Sequence, residues 1–183
     1  MAKLVSKTYG DALFELATEE NKEDILLEEA VEIKKLLNEN DEFVKMMNHP
    51  QISREEKETI VENVFKGRVS DDMAGFLRLL VTNGRFSELE SVLDYFIAKI
   101  KDFKKIGIAY VATPLALSDS QKSDIEKKLL DTTSYEKMEM NFEIDETLIG
   151  GMTIRIGDRV VDSSIRSKLN KLTKDLKQIK LNA

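Results

Sequence analysis

Cysteine and tryptophan are absent from this chain of 183 residues, proline occurs twice and histidine once. Without thiols there is no disulfide framework, no thiolate metal site and no cysteine nucleophile. A single imidazole, His49, leaves no second histidine for a metal cluster. The longest stretch without a charge, Ile106 to Ser118, contains Pro114 and falls well short of the ~20 apolar residues that a membrane-spanning helix needs. No basic segment followed by an apolar run opens the sequence, so the expectation is a cytosolic protein whose contact with a membrane is indirect.

What is present is a globular composition, 42% hydrophobic and 34% charged, on a chain long enough for one large domain or two small ones. The charge is unevenly placed. Residues 1–105 carry 16 basic and 22 acidic side chains, whereas residues 106–183 carry 12 of each. Within the second part, Arg166, Lys168, Lys171, Lys174, Lys177 and Lys180 face only Asp175, which makes the C-terminal segment locally basic.

The first hundred residues read as helices. Tyr9, Ala12, Leu13, Leu16 and Ala17 recur at helical spacing, and Leu26, Ala30, Ile33 and Leu37 do so again after a polar break. His49-Pro50 interrupts, and Ser53 with Glu56 three residues later has the form of a capping box. The helix it opens carries Ile60, Val61, Val64 and Phe65 and stops at Gly67. The next starts near Ser70 or Asp71, is apolar on more than one side from Phe76 to Val81, and ends at Asn83-Gly84, as a central helix would. Phe86, Leu89, Leu93, Phe96, Ile97 and Ile100 then define a longer helix.

The pattern changes at Ile106. Residues Ile106 to Ala112 form a charge-free, β-branched run closed by Pro114, and Ser118 with Gln121 opens a helix bearing Ile125, Leu129 and Leu130. Met138, Met140, Phe142 and Ile144 alternate with Glu139, Asn141, Glu143 and Asp145, the period of a strand with one wet face. Met152 to Ile156 and Arg159 to Val161 flank the turn Gly157-Asp158. Ile165, Leu169, Leu172, Leu176 and Ile179 trace a narrow apolar stripe on a last helix capped by Asp162 or Ser163. The fold class is α+β in two domains, a helical bundle over 1–105 and a small α/β domain with a mixed sheet over 106–183.

Chemistry-bearing constellations are scarce. Gly150-Gly151 lacks the Lys-Ser/Thr ending and spaced third glycine of a phosphate loop. Asp145, Glu146, Asp158 and Asp162 sit where strand ends, turns and helix caps use carboxylates structurally. His49 has no accompanying nucleophile motif. Met46-Met47 and the helical phenylalanines suit either a core or an adaptable groove for a partner helix. These features point to a non-catalytic adaptor with amphipathic surfaces and no cofactor.

A longer pattern is more specific. Leu148 to Leu172, LIGGMTIRIGDRVVDSSIRSKLNKL, resembles the C-terminal signature of the delta subunits of F-type ATP synthases, known in mitochondria as the oligomycin-sensitivity-conferring protein. Phe76 to Phe86, FLRLLVTNGRF, and the opening Tyr9-Gly10-Asp11-Ala12-Leu13-Phe14 are similar to that family's internal and N-terminal motifs. Gly10 stands where the family often has Ala, and Ser167 where it often has Gly.

The resemblance implies a six-helix N-terminal bundle, a smaller α/β domain, and a stator role in the peripheral stalk, tying the catalytic head to the membrane sector. It also implies that the bundle receives the N-terminal helix of an α subunit between its first and fifth helices, here Lys3 to Glu20 and Asp71 to Thr82. The residues expected to serve that contact are Tyr9, Ala12, Leu13, Phe76, Leu79, Leu80 and Asn83. The second domain is expected to meet the b subunit, with Lys171 and Lys174 helping if that partner is acidic. The setting would be bacterial, at the cytoplasmic face of the membrane, with one copy per complex. The alternative is a free-standing cytoplasmic adaptor or RNA-binding module that uses the basic C-terminal helix.

Overall fold

The computed structural model describes residues 2–172, and the chain divides into two compact units, Met1–Ile100 and Lys101–Ala183. The last turn of the sixth helix belongs to the second unit for a local reason. Lys101 Nζ pairs with Glu139 Oε2 at 2.7 Å, and the Lys105 carbonyl accepts the Glu136 N–H at 2.8 Å.

The first unit is built from α1 (Ala2–Glu19), α2 (Glu23–Glu39), α3 (Asp41–Met47), α4 (Arg54–Phe65), α5 (Asp71–Thr82) and α6 (Leu89–Phe103). Their boundaries have chemical causes. Ser53 accepts the Glu56 N–H while the Glu56 carboxylate takes the Ser53 N–H at 2.9 Å, which satisfies two donors that the start of α4 would otherwise leave open. Ser70 caps α5 and is itself held by Glu29 of α2, which accepts its N–H at 2.6 Å and its hydroxyl at 2.8 Å. Gly84, at φ 67°, ends α5 by letting the Arg85 N–H reach back to the Leu80 carbonyl at 2.8 Å.

Helix α5 is the axis of this unit, burying Met73, Phe76, Leu77, Leu80 and Val81. Around it lie Leu13 and Ala17 of α1, Leu26, Ala30 and Ile33 of α2, and Val92, Leu93, Phe96 and Ile100 of α6. A fully buried leucine contributes about 1.5–3 kcal/mol relative to an exposed one, so this cluster outweighs the surface ion pairs, each worth about 0–1 kcal/mol. Helix α3 carries no strong periodic signal because it has only 7 residues. It forms because Phe43 packs edge-on against Phe65 and Phe86, at centroid distances of 6.4 and 6.1 Å, and Met47 is buried. Sequence periodicity extends the last helix back to Phe86, whereas Phe86–Glu88 form a separate 3-10 turn.

The second unit contains β1 (Ile106–Thr113), α7 (Asp119–Thr132), β2 (Lys137–Ile144), β3 (Thr153–Ile156), β4 (Arg159–Asp162) and α8 (165–172). The sheet order is β2-β1-β3-β4, with β1 parallel to β2 and the other two neighbours antiparallel, so the sheet is mixed and the fold is α+β. The parallel pair requires a crossover, and α7 supplies it. Gly107, Ala109, Val111 and Thr113 are buried on the face shared with Met138, Met140 and Phe142. Helix α7 covers that face, burying Ile125 and placing Lys122 over the Phe142 ring at 5.6 Å. On the opposite face Arg155 stacks on Tyr110 at 4.5 Å.

In the first unit, α1 and α6 meet at Gly10, where a Cβ would collide with the Tyr95 ring. The Tyr95 hydroxyl donates to Asp11 at 2.9 Å, and Lys99 pairs with Asp11 while its ammonium lies 4.4 Å from the Phe14 ring centroid. These contacts explain glycine where alanine would favour the helix. Replacing Gly10 by Ala should gain about 1 kcal/mol of helix propensity and lose about 1–3 kcal/mol to overpacking against Tyr95. The expected outcome for Gly10→Ala is a melting temperature lower by about 2–4 °C, measured by circular dichroism. A higher melting temperature would mean that the ring moves aside without loss.

Candidate protein-interaction surfaces

Asp145, Asp162 and His49, which a catalytic reading would need, are engaged in local hydrogen bonds. Asp145 is held below the usual carboxylate range by the Thr147 hydroxyl and N–H, with Arg166 adding a smaller electrostatic pull. Asp162 is lowered by hydrogen bonds from Ser167 and Ser164. Asp158 is exposed in the β3–β4 turn, and His49 Nδ1 accepts the Gln51 N–H at 3.3 Å on an exposed loop. The shifts of Asp145 and Asp162 both favour the ionised form, the reverse of what a general acid requires. Among the described residues no group of three or more His, Cys, Asp or Glu side chains is arranged to hold a metal ion.

The nominated residues of α1 and α5 divide cleanly by depth. Leu13 and Leu80 are 1% and 0% exposed and Phe76 is 7%, so these three belong to the core and present no free side chain to a partner. Tyr9 is partly buried against that core, while Ala12, Leu79 and Asn83 face outward, with Leu79 at 49% exposure. The two helices are tied at one end by Lys22 Nζ to Asp72 Oδ2 at 2.6 Å, and the turn Phe86–Glu88 touches both. Other exposed residues of these helices include Leu4, Thr8, Glu15 and Glu19 on α1 and Gly75 on α5. One turn apart on α1, Leu4, Thr8 and Ala12 make an uncharged stripe; Leu79 and Asn83 are one turn apart and uncharged on α5, while Gly75 lines the groove toward α4. Sequence reasoning did not single out Leu4 and Thr8, although their four-residue spacing to Ala12 is a usable signal of one helix face.

The second unit exposes an apolar rim. Ile144 ends β2 at 61% exposure and Ile149 in the following loop is 70% exposed. Ile165, Leu169 and Leu172 stand 43%, 51% and 58% exposed along α8. Ile149 holds φ 63°, a costly conformation for a β-branched residue. The glycines beside it have a packing role. A Cβ at Gly150 would lie 2.6 Å from Ile165 Cδ1, and one at Gly151 would lie 2.5 Å from the Ser163 carbonyl oxygen. Helix α8 is capped by Ser164, which accepts the Ser167 N–H at 3.2 Å, instead of by Asp162 or Ser163. Asp162 acts one step earlier, accepting the Ser164 N–H at 2.9 Å and the Ser167 hydroxyl at 2.6 Å, which gives Ser167 a role glycine lacks. Lys171 is exposed on α8, and Lys174 lies outside the described residues.

Exposed apolar stripes on capped helices are the kind of surface that docks against another protein. The family model for the ATP synthase delta (OSCP) subunit matches residues 5–176. A delta subunit of ATP synthase from Lachnoclostridium phytofermentans is 53% identical over 181 residues, covering 99% of this chain and 100% of that protein. One from Acetivibrio thermocellus is 32% identical over 167 residues, covering 91% of this chain and 94% of that one. In a cryo-EM structure of the Toxoplasma gondii mitochondrial ATP synthase hexamer, one chain superposes with a TM-score of 0.74 at 19% identity, covering 93% of this chain and 96% of that one, which shows the shared fold.

The chain belongs to the ATP synthase delta (OSCP) subunit family. It is a non-catalytic peripheral-stalk subunit of an F-type ATP synthase and contacts other subunits of that complex. The alternative of a free-standing adaptor or RNA-binding module finds no support in these matches. Among the described residues no helix is long and apolar enough to cross a membrane.

The cap of α8 is pH-dependent. Because the folded-state pKa of Asp162 is depressed, its contribution to stability is present above the unfolded value of about 4 and is lost as pH falls through the folded value. Asp162→Ala should therefore be less stable than the wild type at pH 7, with the difference shrinking as pH drops below about 4. Thermal melts of both proteins across that range measure it. A difference that stays constant with pH would remove the ionised carboxylate as its source.

Proposed function

We propose that the first unit is the family's six-helix bundle and receives the N-terminal helix of an α subunit on the outer face of α1 and α5, and that the second unit engages the b subunit. The division of labour follows 1–105 and 106–183, at the cytoplasmic face of the membrane, with one copy per complex. The observation that carries the first contact is the separation by depth. Ala12, Leu79 and Asn83 face outward beside Tyr9, while Leu13, Phe76 and Leu80 support them from inside. A helix laid in such a groove gains affinity from a few apolar anchors, and the small residue Ala12 lets its backbone approach.

For the second contact, the rim of Ile144, Ile149, Ile165, Leu169 and Leu172 offers apolar area, and Lys171 adds charge beside it. A link that holds against torque needs tight binding. A nanomolar dissociation constant corresponds to about −12 kcal/mol, and two weaker contacts reach the same end by avidity.

Calorimetric titration of the full chain with a peptide from the N-terminus of an α subunit tests the first contact. Ala12→Arg and Leu79→Arg, both at exposed positions, should each weaken binding at least about tenfold with an unchanged helical spectrum. Lys171→Glu with Lys174→Glu should spare that peptide and weaken binding to the C-terminal region of the b subunit, with a smaller salt dependence. Unchanged peptide binding by both arginine variants would remove the α1/α5 face from the contact.

A further inference from the structure

The docking face on α1 and α5 is electrically asymmetric along its length. At the end where α1 stops and α5 starts lie Glu15, Glu19, Glu20 and Asp72. A single cation, Lys22, is shared between Glu20 and Asp72. Glu15 and Glu19 are exposed, and among the described residues neither is within ion-pair distance of a lysine or arginine. Lys99 feels Glu15 only at longer range, being bound to Asp11. Toward the other end Leu4, Thr8 and Asn83 are uncharged, and Arg85, two residues beyond Asn83, is basic and exposed, while Lys7 lies beside Asp11 on the α6 side of α1. Between the two ends run Ala12 and Leu79.

Resting on the reading of this face as the α-subunit site, we propose that Glu15 and Glu19 are specificity determinants that select an amphipathic helix bearing lysine or arginine at one end, and thereby fix its direction in the groove. The apolar stripe of that helix covers Ala12 and Leu79, and its basic turn lies over Glu15 and Glu19. Reversed, the same helix would set its basic turn beside Leu4, Thr8, Asn83 and the basic Arg85 and lose the attraction. Exposed charges at the rim of an interface act chiefly on approach and choice of partner, with a strong dependence on salt.

The test titrates the full-length protein, its Glu15→Lys/Glu19→Lys variant and its Ala12→Arg variant with a peptide from the N-terminus of an α subunit at low salt and at about 1 M salt, where the Debye length is about 3 Å. Both glutamates are exposed, and unaltered melting curves confirm folding. The double variant is expected to bind about tenfold more weakly at low salt and equally at high salt, whereas Ala12→Arg binds weakly at both. Equal affinity of wild type and double variant at low salt, with Ala12→Arg still impaired, overturns the charge selection and leaves the docking site standing. Failure of the wild type to bind the peptide overturns the site and the inference together.

Discussion

The first unit depends on how completely α5 is enclosed. Five of its side chains, Met73, Phe76, Leu77, Leu80 and Val81, are in the core, and neighbouring helices anchor it by Glu29 on Ser70 and Lys22 on Asp72. Its outward positions are therefore few. Arg78 and Thr82 are engaged by Glu58 of α4, the hydroxyl at 2.7 Å, and Gly75 lines the groove between α4 and α5, which leaves Leu79 and the C-terminal Asn83 exposed away from α4. A helix that must fill the middle of a bundle and also present a face to another subunit has room for both only if surface and core residues alternate tightly. The run from Phe76 to Asn83 does so, with Leu79 exposed between Leu77 and Leu80.

Much of this is legible in the sequence because long, periodic segments advertise themselves. The helices around Leu26 to Leu37 and Asp71 to Thr82, the capping boxes at Ser53 and Ser118, and the alternating strand from Met138 to Ile144 follow from spacing alone. Helix α3 is not legible, since two turns held by aromatic contacts to Phe65 and Phe86 leave no local period to find. Nor can periodicity separate Leu79 from Leu80. Both are leucines on one helix, and only the placement of α1 and α4 decides which points inward. Spacing misplaces the cap of α8 by one or two residues because Asp162, Ser163 and Ser164 are all competent caps, and the choice turns on where the backbone leaves β4.

The motif around Gly150-Gly151 shows how a recurrent pattern acquires a physical reason. The two glycines let the loop after β2 press against Ile165 and the Ser163 carbonyl, and that contact sets where α8 begins. Ile149 takes the strain of the turn beside them while remaining exposed. The same architecture persists at 19% identity in the Toxoplasma chain, which is the behaviour of a fold specified by patterning and side-chain volume more than by particular core residues.

Among the described residues the strand order β2-β1-β3-β4 leaves β2 and β4 at the edges of the sheet. An open edge is a template for recruiting another copy through its unpaired amides and carbonyls, a hazard for a subunit before it joins its complex. Here β4 is only 4 residues long and is bracketed by Arg159 and Asp162. The longer edge, β2, intersperses Lys137, Glu139 and Glu143 among its apolar residues, and its first half lies beside Lys101 and Lys105 through their pairs with Glu139 and Glu136. Short length on one side and dense charge on the other protect the unassembled subunit from sheet-to-sheet polymerisation.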